Sequence, residues 1–340
     1  MDKPKLQLFS SNTRSLGVEI TDEAVRLSEV QMVRKGRIQV TAYAQAGLPP
    51  GVIADGKLID SVRLQAAIRS LLEERRIRTR RVHLAVPSQS VVIRTLQLPD
   101  VPRKEMRKLI DFEMKDNLQA AMDEPYFDFV KLPARTGAAS EEQPDARLCE
   151  VLVIAAPLQV LQAFATLLRE LKLAPQSFEI AAFSLLRLLK RGPFDTSGVN
   201  LIAHVNESSS EITVIDNGIL KLTRNIDVPL SGSAVHAGHW TDRETAFPPS
   251  FAAIRDLLSE VERLMNFYYY TFNKETDPFL RIYVSGGVPL LPAIVNDMAE
   301  RFSQQVHLID WKQLQPEGAE ALHVPAYAAA LGLALRGGDR

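Results

Sequence analysis

NLIAHVNESSSEITVIDNGILKLTRNIDV, residues Asn200–Val228, is the stretch that decides the fold. It consists of an apolar run, a polar break, an alternating run, a turn at Asn217-Gly218 and a second alternating run. Alternation with a period of two is typical of half-buried strands, and Asn-Gly between two such runs is a strong hairpin signal. The stretch therefore predicts a β-meander.

The same pattern occurs once more, near the start of the chain, over residues 16–43. The two blocks align without a gap up to Val30 and Ile215, so that Glu19 aligns with His204 and Thr21 with Asn206. Two meanders, each followed by mixed helices and strands, predict an α/β protein with two similar lobes that face each other. The alternative is that the repeat is fortuitous, because any large mixed sheet contains meanders.

Composition places the chain among ordinary globular proteins. It has 340 residues, of which 46% are hydrophobic and 24% charged, and its formal net charge is −1. This length allows two domains, and this charge gives no overall field toward nucleic acid or anionic lipid. The single cysteine, Cys149, excludes an internal disulfide and a zinc site of several cysteines. No apolar run approaches the roughly 20 residues that span a bilayer, so we expect a cytoplasmic protein.

The order of predicted elements divides the chain into three parts. Residues 1–87 and 174–195 form the first lobe, and residues 196–340 form the second. Residues 88–173 predict a strand, a helix, two strands and a helix, which indicates a small α+β subdomain inserted in the first lobe. Two polar segments without periodicity, Pro133–Ala146 and Ser231–Ser250, are expected to be loops.

Five arginines lie close together after the first predicted helix: Arg75, Arg76, Arg78, Arg80 and Arg81. Such a run can contact phosphates or lipid head groups. A solvated helix end has the same composition, because cations are stabilised near the negative end of the helix dipole. The helix end alone accounts for the run, so the sequence favours this second interpretation.

Six short segments together carry a resemblance to a known family. In chain order they are Leu16–Ile20 (LGVEI), Leu48–Ile53 (LPPGVI), Leu84–Pro87 (LAVP), Arg94–Pro99 (RTLQLP), Ser285–Gly287 (SGG) and Pro325–Leu333 (PAYAAALGL). Nearly the whole chain resembles the type IV pilus assembly protein PilM family, a relative of the cell-division protein FtsA. The resemblance implies the actin-like, duplicated ribonuclease H-like fold with an inserted subdomain.

The resemblance also implies a nucleotide cleft between the lobes, formed by two phosphate loops and a purine-side turn. The corresponding positions here are Glu19, Thr21, Asp22, His204, Asn206, Ser208, Ser285, Gly286 and Gly287. In such loops, glycines let backbone N–H groups approach phosphate, and aspartates hold Mg²⁺ through water. Thr21 and Asn206 replace the glycines here, and His204 replaces an aspartate.

These replacements predict a degenerate site. Asp22 and Glu207 lie where phosphates would bind, and a close pair of like charges costs about 4 kcal/mol at an effective dielectric constant near 20. We therefore expect a pseudo-ATPase that does not hydrolyse ATP, disfavours Mg·ATP binding, and has no catalytic residues, metal or other cofactor. The chain contains no G-x-S-x-G, Walker, H-E-x-x-H or dinucleotide motif.

In PilM relatives the partner is PilN, a single-span membrane protein whose cytoplasmic N-terminal tail lies between the main lobe and the inserted subdomain. The resemblance implies a groove from Val91–Leu98 and the helix Lys104–Leu118. Its candidate residues are Ile93, Arg94, Leu96, Gln97, Leu98, Met106 and Ile110. An extended tail there gains main-chain hydrogen bonds and side-chain pockets. The alternative is that these apolar residues form the core of the insertion.

Three functions are weighed on this basis. The first is an adaptor of a type IV pilus or related secretion machine, held on the inner face of the cytoplasmic membrane by its partner and contacting other assembly components. The second is an actin-fold sugar or small-molecule kinase or ATPase, which needs an intact phosphate glycine. The third is an FtsA-like filament protein, which needs a C-terminal amphipathic helix. The altered loops favour the adaptor, and no nucleic-acid partner is expected.

Overall fold

The computed structural model describes residues 13–33, 37–118, 122, 124–133, 148–230, 251–272, 278–311, 314 and 323–338. The strands are β1 (Thr13–Ile20), β2 (Ala24–Met32), β3 (Ile38–Gly47), β4 (Ile53–Ala54), β5 (Lys57–Leu58), β6 (Arg81–Ala85), β7 (Val92–Pro99), β8 (Pro125–Lys131), β9 (Leu148–Pro157), β10 (Ala174–Glu179), β11 (Val199–Val205), β12 (Ser210–Asp216), β13 (Ile219–Ile226), β14 (Phe279–Gly286) and β15 (Gln305–Leu308). The helices are α1 (Ser61–Glu74), α2 (Arg103–Leu118), α3 (Leu158–Glu170), α4 (Ala181–Arg191), α5 (Phe251–Phe272), α6 (Leu291–Arg301) and α7 (Val324–Leu335).

Local sequence sets the bounds of these elements, as α1 illustrates. The Asp60 side chain accepts a hydrogen bond from the backbone N–H of Arg63 at 3.0 Å and caps the helix. Leu64, Ile68 and Leu71 then recur on one face and are buried. The backbone N–H of Ile77 bonds to the Leu72 carbonyl at 2.8 Å and closes the helix end.

Two five-stranded sheets repeat the same strand order. The first sheet has the order β10-β6-β1-β2-β3, and the second has β15-β14-β11-β12-β13. In each sheet the first meander strand pairs antiparallel with the second and parallel with a later strand, β6 or β14. This correspondence confirms the predicted duplication into two lobes.

Each lobe buries one face of its sheet against its own helices. In the first lobe the sheet shares a core with α1 and α3, and in the second lobe it shares one with α5 and α6. Two further helices, α4 and α7, lie between the two sheets in a central core. Helix α7 belongs to the second half of the chain, yet it packs against β1, β2 and β6 of the first lobe. The lobes are therefore joined by a shared core.

Glycines permit the closest contacts in this central core. A Cβ atom at Gly17 would lie 1.9 Å from the carbonyl oxygen of Ala330, and one at Gly332 would lie 2.0 Å from that of Ser184. Both neighbouring atoms belong to the backbone, which cannot move aside as a flexible side chain can. The absence of a side chain at these two positions therefore sets the distances from α7 to β1 and to α4.

The inserted subdomain is a three-stranded sheet of order β7-β9-β8 with α2 on one face. Val151 and Val153 of β9 pack on the α2 side, whereas Leu152 and Ile154 point to the central core. Helix α3 packs in the core of the first lobe. The predicted end of the insertion at residue 173 therefore needs correction, because its own core ends with β9 at Pro157.

The two segments expected to be loops fall almost entirely outside the described residues, since they cover 133–146 and 231–250. Of the helices that the structure describes, none is both long and apolar enough to span a membrane.

We expect Gly17→Ala to destabilise the protein by about 3 kcal/mol or more, because the new Cβ meets backbone on α7. Gly51→Ala is the matched control. Gly51 has a φ of +84° and no atom within 4 Å of the added Cβ, so only backbone strain of about 1 kcal/mol arises. Urea denaturation of both variants measures the difference, and equal losses would show that α7 does not approach β1 this closely.

Candidate functional site

The two lobes meet where the parallel strands of both sheets end. β1 ends at Ile20, β11 at Val205 and β14 at Gly286. In the duplicated sheets these ends face one another, so the polar residues just before them converge. These strand ends define the place that the resemblance assigns to a nucleotide.

A buried chain of polar side chains crosses this cleft. His204 Nε2 lies 2.6 Å from Glu19 Oε1, and His204 Nδ1 lies 2.8 Å from Ser285 Oγ. Glu19 and His204 are each 2% exposed and Ser285 is 0% exposed. Burial by itself raises the pKa of Glu19, but His204 and Arg26 outweigh it and hold this pKa below its ordinary value. Glu19 is therefore an anion that the second lobe stabilises.

Arg26, on β2, supplies a cation to the same cluster. Its Nη1 lies 3.7 Å from Glu19 Oε2 and donates to Asn206 Oδ1 at 3.5 Å. Its guanidinium also lies on Gly287, since a Cβ atom there would be 1.8 Å from Arg26 Nη2. The side chain thus reaches from the first lobe across to two turns of the second. We call Glu19, Arg26, His204, Asn206 and Ser285 the cleft cluster.

The order Ser285–His204–Glu19 has the composition of a hydrolytic triad. A triad requires a nucleophile that a substrate can approach. The Ser285 hydroxyl has no exposed surface and is held against His204. The geometry therefore suits a structural contact between lobes.

Acidic side chains surround the cleft cluster. Burial, with Glu23 and Asp55 nearby, raises the pKa of Asp22 to about 6. Burial also raises the pKa of Glu207, again with a contribution from Glu23. Burial raises the pKa of Glu211 as well. The surroundings therefore already disfavour negative charge, and a polyphosphate would add further negative charge.

Within the described residues no group of three His, Cys, Asp or Glu is placed to hold a metal ion.

The remaining predicted cleft residues lie at the ends of β1, β11 and β14 or in the turns that follow them, and shape the backbone there. Thr21 closes the first turn, because its Oγ1 accepts from the Ala24 N–H at 3.1 Å. Ser208 lies in the turn between β11 and β12. Gly286 has a φ of +135°, and a Cβ atom there would be 1.8 Å from the Val205 carbonyl oxygen. The turn thus needs glycine at 286 for its own backbone.

Sequence reasoning missed Arg26, the residue that links the others. It occupies a largely buried strand between the apolar residues Val25 and Leu27, and it pairs with Glu19 across β1 and β2. A charged residue within an otherwise buried strand is a signal that a buried partner exists. The partners on the second lobe could not be identified from this signal.

A second region of interest lies between the insertion and the second lobe. A cavity of about 360 Å³ lies where β13 approaches the start of β7, with lining residues Ser88, Gln89, Val91, Ile93, Thr223, Arg224, Asn225 and Asp227. Two hydrogen bonds cross nearby, from Ser88 Oγ to Asn225 Oδ1 at 3.3 Å and from Gln89 Nε2 to Ser209 Oγ at 3.1 Å. In the described part of the chain, β7 pairs with β9 alone, so its other edge is open. We call this cavity with the open edge of β7 the seam.

The structure divides the predicted groove residues into two sets. Ile93 lines the seam, and Arg94 is exposed on β7. Gln97 donates to Glu150 Oε1 at 3.1 Å, and Leu96 packs at the border of the insertion's core.

Leu98, Met106 and Ile110 are buried in that core and cannot line a groove. The prediction that these three residues line the groove is therefore corrected. Helix α2 covers the face of the inserted sheet that points away from the central core, and the three residues are buried beneath it.

Comparison with known proteins agrees with this architecture. A family model described as type IV pilus assembly protein PilM matches residues 17–226. Among solved structures, the chain is similar to the PilM-PilN type IV pilus biogenesis complex, with a TM-score of 0.75, 22% identity, and coverage of 96% of this chain and 99% of that chain. It is also similar to ethanolamine utilization protein EutJ from Carboxydothermus hydrogenoformans, with a TM-score of 0.51, 14% identity, and coverage of 95% and 89%. No curated protein matches the chain. The predicted actin-like fold is confirmed.

We expect Asp22→Asn to stabilise the protein at alkaline pH. The raised pKa of Asp22 means that folding favours its protonated form, so its stabilising contribution is present below pH 4 and is lost as pH rises through about 6. Asparagine stays neutral and should gain roughly 1 to 2 kcal/mol at pH 8, since solvent around the half-buried side chain weakens the repulsion.

Thermal unfolding of wild type and variant at pH 4 and pH 8 measures this difference. Asp256→Asn, on the exposed face of α5, serves as the control. A gain for Asp22→Asn of the same size at both pH values would contradict the electrostatic origin.

Proposed function

The chain belongs to the type IV pilus assembly protein PilM family, and we propose that it acts as a non-catalytic adaptor that binds the cytoplasmic N-terminal tail of a PilN-like single-span membrane protein. This binding holds the protein at the inner face of the cytoplasmic membrane. The similar PilM-PilN complex supports the choice of partner. The observation that carries the proposal is the seam, an open strand edge beside a cavity.

An extended peptide suits the seam for two physical reasons. The open edge of β7 offers unpaired backbone N–H and C=O groups, to which a peptide can add as a further strand. The floor beside it is apolar at Val91 and Ile93, and the opposite wall on β13 is polar at Thr223 and Asn225. Side chains alternate along an extended peptide, so apolar and polar residues in turn would meet matching walls.

The cleft cluster supports the non-catalytic part of the proposal. Arg26 covers Gly287 at the turn expected to receive a purine, and Glu19 and His204 meet where phosphates would lie. A nucleotide would have to separate these buried contacts and then lie among carboxyls. Removing one member of a buried ion pair typically costs about 3 to 5 kcal/mol, so displacement of the cluster is strongly opposed. An actin-fold kinase or ATPase needs this space open.

We expect Ile93→Ser to weaken tail binding at least tenfold, because it removes the apolar floor of the seam while the half-buried position tolerates a smaller side chain. Replacement by alanine of Gln97, whose side chain bonds to Glu150 outside the cavity, should cost less. Phe112→Ser is the control, since Phe112 is 64% exposed on the outer helix α2.

Fluorescence titration with the labelled tail of the PilN-like protein from the same organism gives the affinities, and circular dichroism verifies folding. Full-strength binding by a folded Ile93→Ser variant would place the tail elsewhere.

We expect calorimetry with Mg·ATP to show no binding in the micromolar range and steady-state assays to show no turnover. The reason is the cleft cluster, which occupies the cleft with the chain's own side chains. Arg26→Ala provides an internal comparison, because it removes the side chain that covers Gly287. Micromolar affinity of the wild-type chain for Mg·ATP would refute this part of the proposal.

A further inference from the structure

A group of cations lies at the end of the first lobe remote from the cleft. Helices α1 and α3 are neighbours there, since Gln65 Nε2 donates to Glu170 Oε2 at 2.6 Å. The strands that follow them, β6 and β10, pair in parallel with Arg81 opposite Ala174. The chain therefore brings two helix ends and two strand starts together. The cations on them, here called the basic face, are Arg76, Arg78, Arg80, Arg81, Arg169 and Lys172.

The backbone presents these cations outward. Ile77 is buried, and Thr79 Oγ1 bonds to the buried carboxylate of Glu29 at 2.5 Å. These two anchors hold the loop after α1 in place, and the alternate residues Arg78 and Arg80 are exposed. The arginine run is visible in the sequence, but its two anchors are not. The anchors fix the backbone, so that the arginines form an ordered surface.

Two cations of the basic face occupy an unusual backbone position. Arg76 has a φ of 52° and Lys172 a φ of 58°, at the ends of α1 and α3 respectively. This left-handed conformation at a helix end normally favours glycine. Both helices thus end in the same way, with a cation where glycine would be less strained.

The basic face is not neutralised by the protein itself. Across the ranges that the structure describes, none of its six cations forms an ion pair. Three nearby carboxylates have other partners. Glu74 lies 3.9 Å from Arg75, Glu170 accepts from Gln65, and Glu29 is engaged by Arg14 and Thr79. Helix dipoles account for cations in the last helical turn, but Arg78, Arg80 and Arg81 lie beyond it.

We propose that the basic face binds the anionic phospholipid surface of the membrane. The choice of a membrane rests on the proposed function, which brings the chain to one. Clusters of four to eight Lys and Arg residues are typical of electrostatic attachment to anionic lipid. Each such residue strengthens the partition onto the membrane roughly fivefold. Nucleic acid is less favoured, because the aromatic ring beside this helix end, Tyr43, is partly buried against the central core and already contacts the Arg75 guanidinium.

The basic face and the seam can be used together. β6 runs from Arg81 at the basic face to Ala85, just before the seam begins at Ser88. A strand of this length covers roughly 17 Å at about 3.3 Å per residue. A tail bound at the seam needs only a few further extended residues to reach a membrane in contact with the basic face. Two weak contacts joined in this way reinforce each other through effective concentration.

The test is co-sedimentation of the purified full chain, without any partner, with vesicles of phosphatidylcholine alone or with about a third phosphatidylglycerol. We expect binding to the anionic vesicles alone, and its loss between about 0.1 M and about 1 M salt, where the Debye length falls from about 10 Å to about 3 Å. Because no partner is present, the result is independent of whether the tail binds at the seam.

Arg76→Gly with Lys172→Gly removes two cations at positions where glycine relieves the backbone, so we expect a folded protein with partition weakened roughly tenfold to thirtyfold. Arg78→Glu with Arg80→Glu should abolish measurable binding. The matched control is Lys104→Glu with Lys108→Glu, the same change of charge on exposed positions of α2.

Three results would overturn the proposal. One is the absence of binding to anionic vesicles at low salt. Another is an equal loss of binding in the Lys104 and Lys108 control, which would place the contact elsewhere. The last is tighter binding of a short DNA duplex than of the vesicles at the same salt concentration, which would identify nucleic acid as the occupant.

Discussion

The backbone contact of α7 with its two neighbours is the constraint on which the other features depend. At Gly17 and Gly332 the chain approaches itself so closely that a single methyl group would overlap a carbonyl oxygen. Because α7 comes from the second half of the chain and packs on the sheet of the first, this contact fixes how the lobes sit relative to each other. Strand ends on the two lobes then fall opposite one another. The cleft cluster and the seam both follow from that placement.

The duplication explains why the cleft cluster joins residues so far apart in sequence. Glu19 and His204 occupy equivalent positions in the two meanders, and each is the second-last residue of the first strand of its meander. When two copies face each other, equivalent positions meet near the axis that relates them. A carboxylate from one copy and an imidazole from the other then form a complementary pair in a place where two identical residues would repel. Because the residues at these equivalent positions differ, the two lobes can contact each other directly in the cleft.

Much of the fold could be predicted from periodicity, whereas the partners of individual side chains could not. The meander over 200–228 and its repeat appear in the structure close to their predicted bounds. The apolar stripe of α3 correctly indicated burial, but the stripe does not say which core receives it, and α3 belongs to the first lobe. Met106 and Ile110 were misplaced for the same reason. Arg26 was missed because alternation identifies the face of a strand and says nothing of what lies across a cleft.

The contact between Arg26 and Gly287 changes how a sequence motif of this kind is to be understood. A glycine pair after a late strand is commonly taken as the trace of a purine-binding turn. Here Gly286 is needed by the backbone of its own turn, and Gly287 leaves room for a guanidinium. Both glycines would persist under selection even after every contact with a nucleotide had been lost. A search for ATPases based on that pair would select this chain, although both glycines have structural roles here that need no nucleotide.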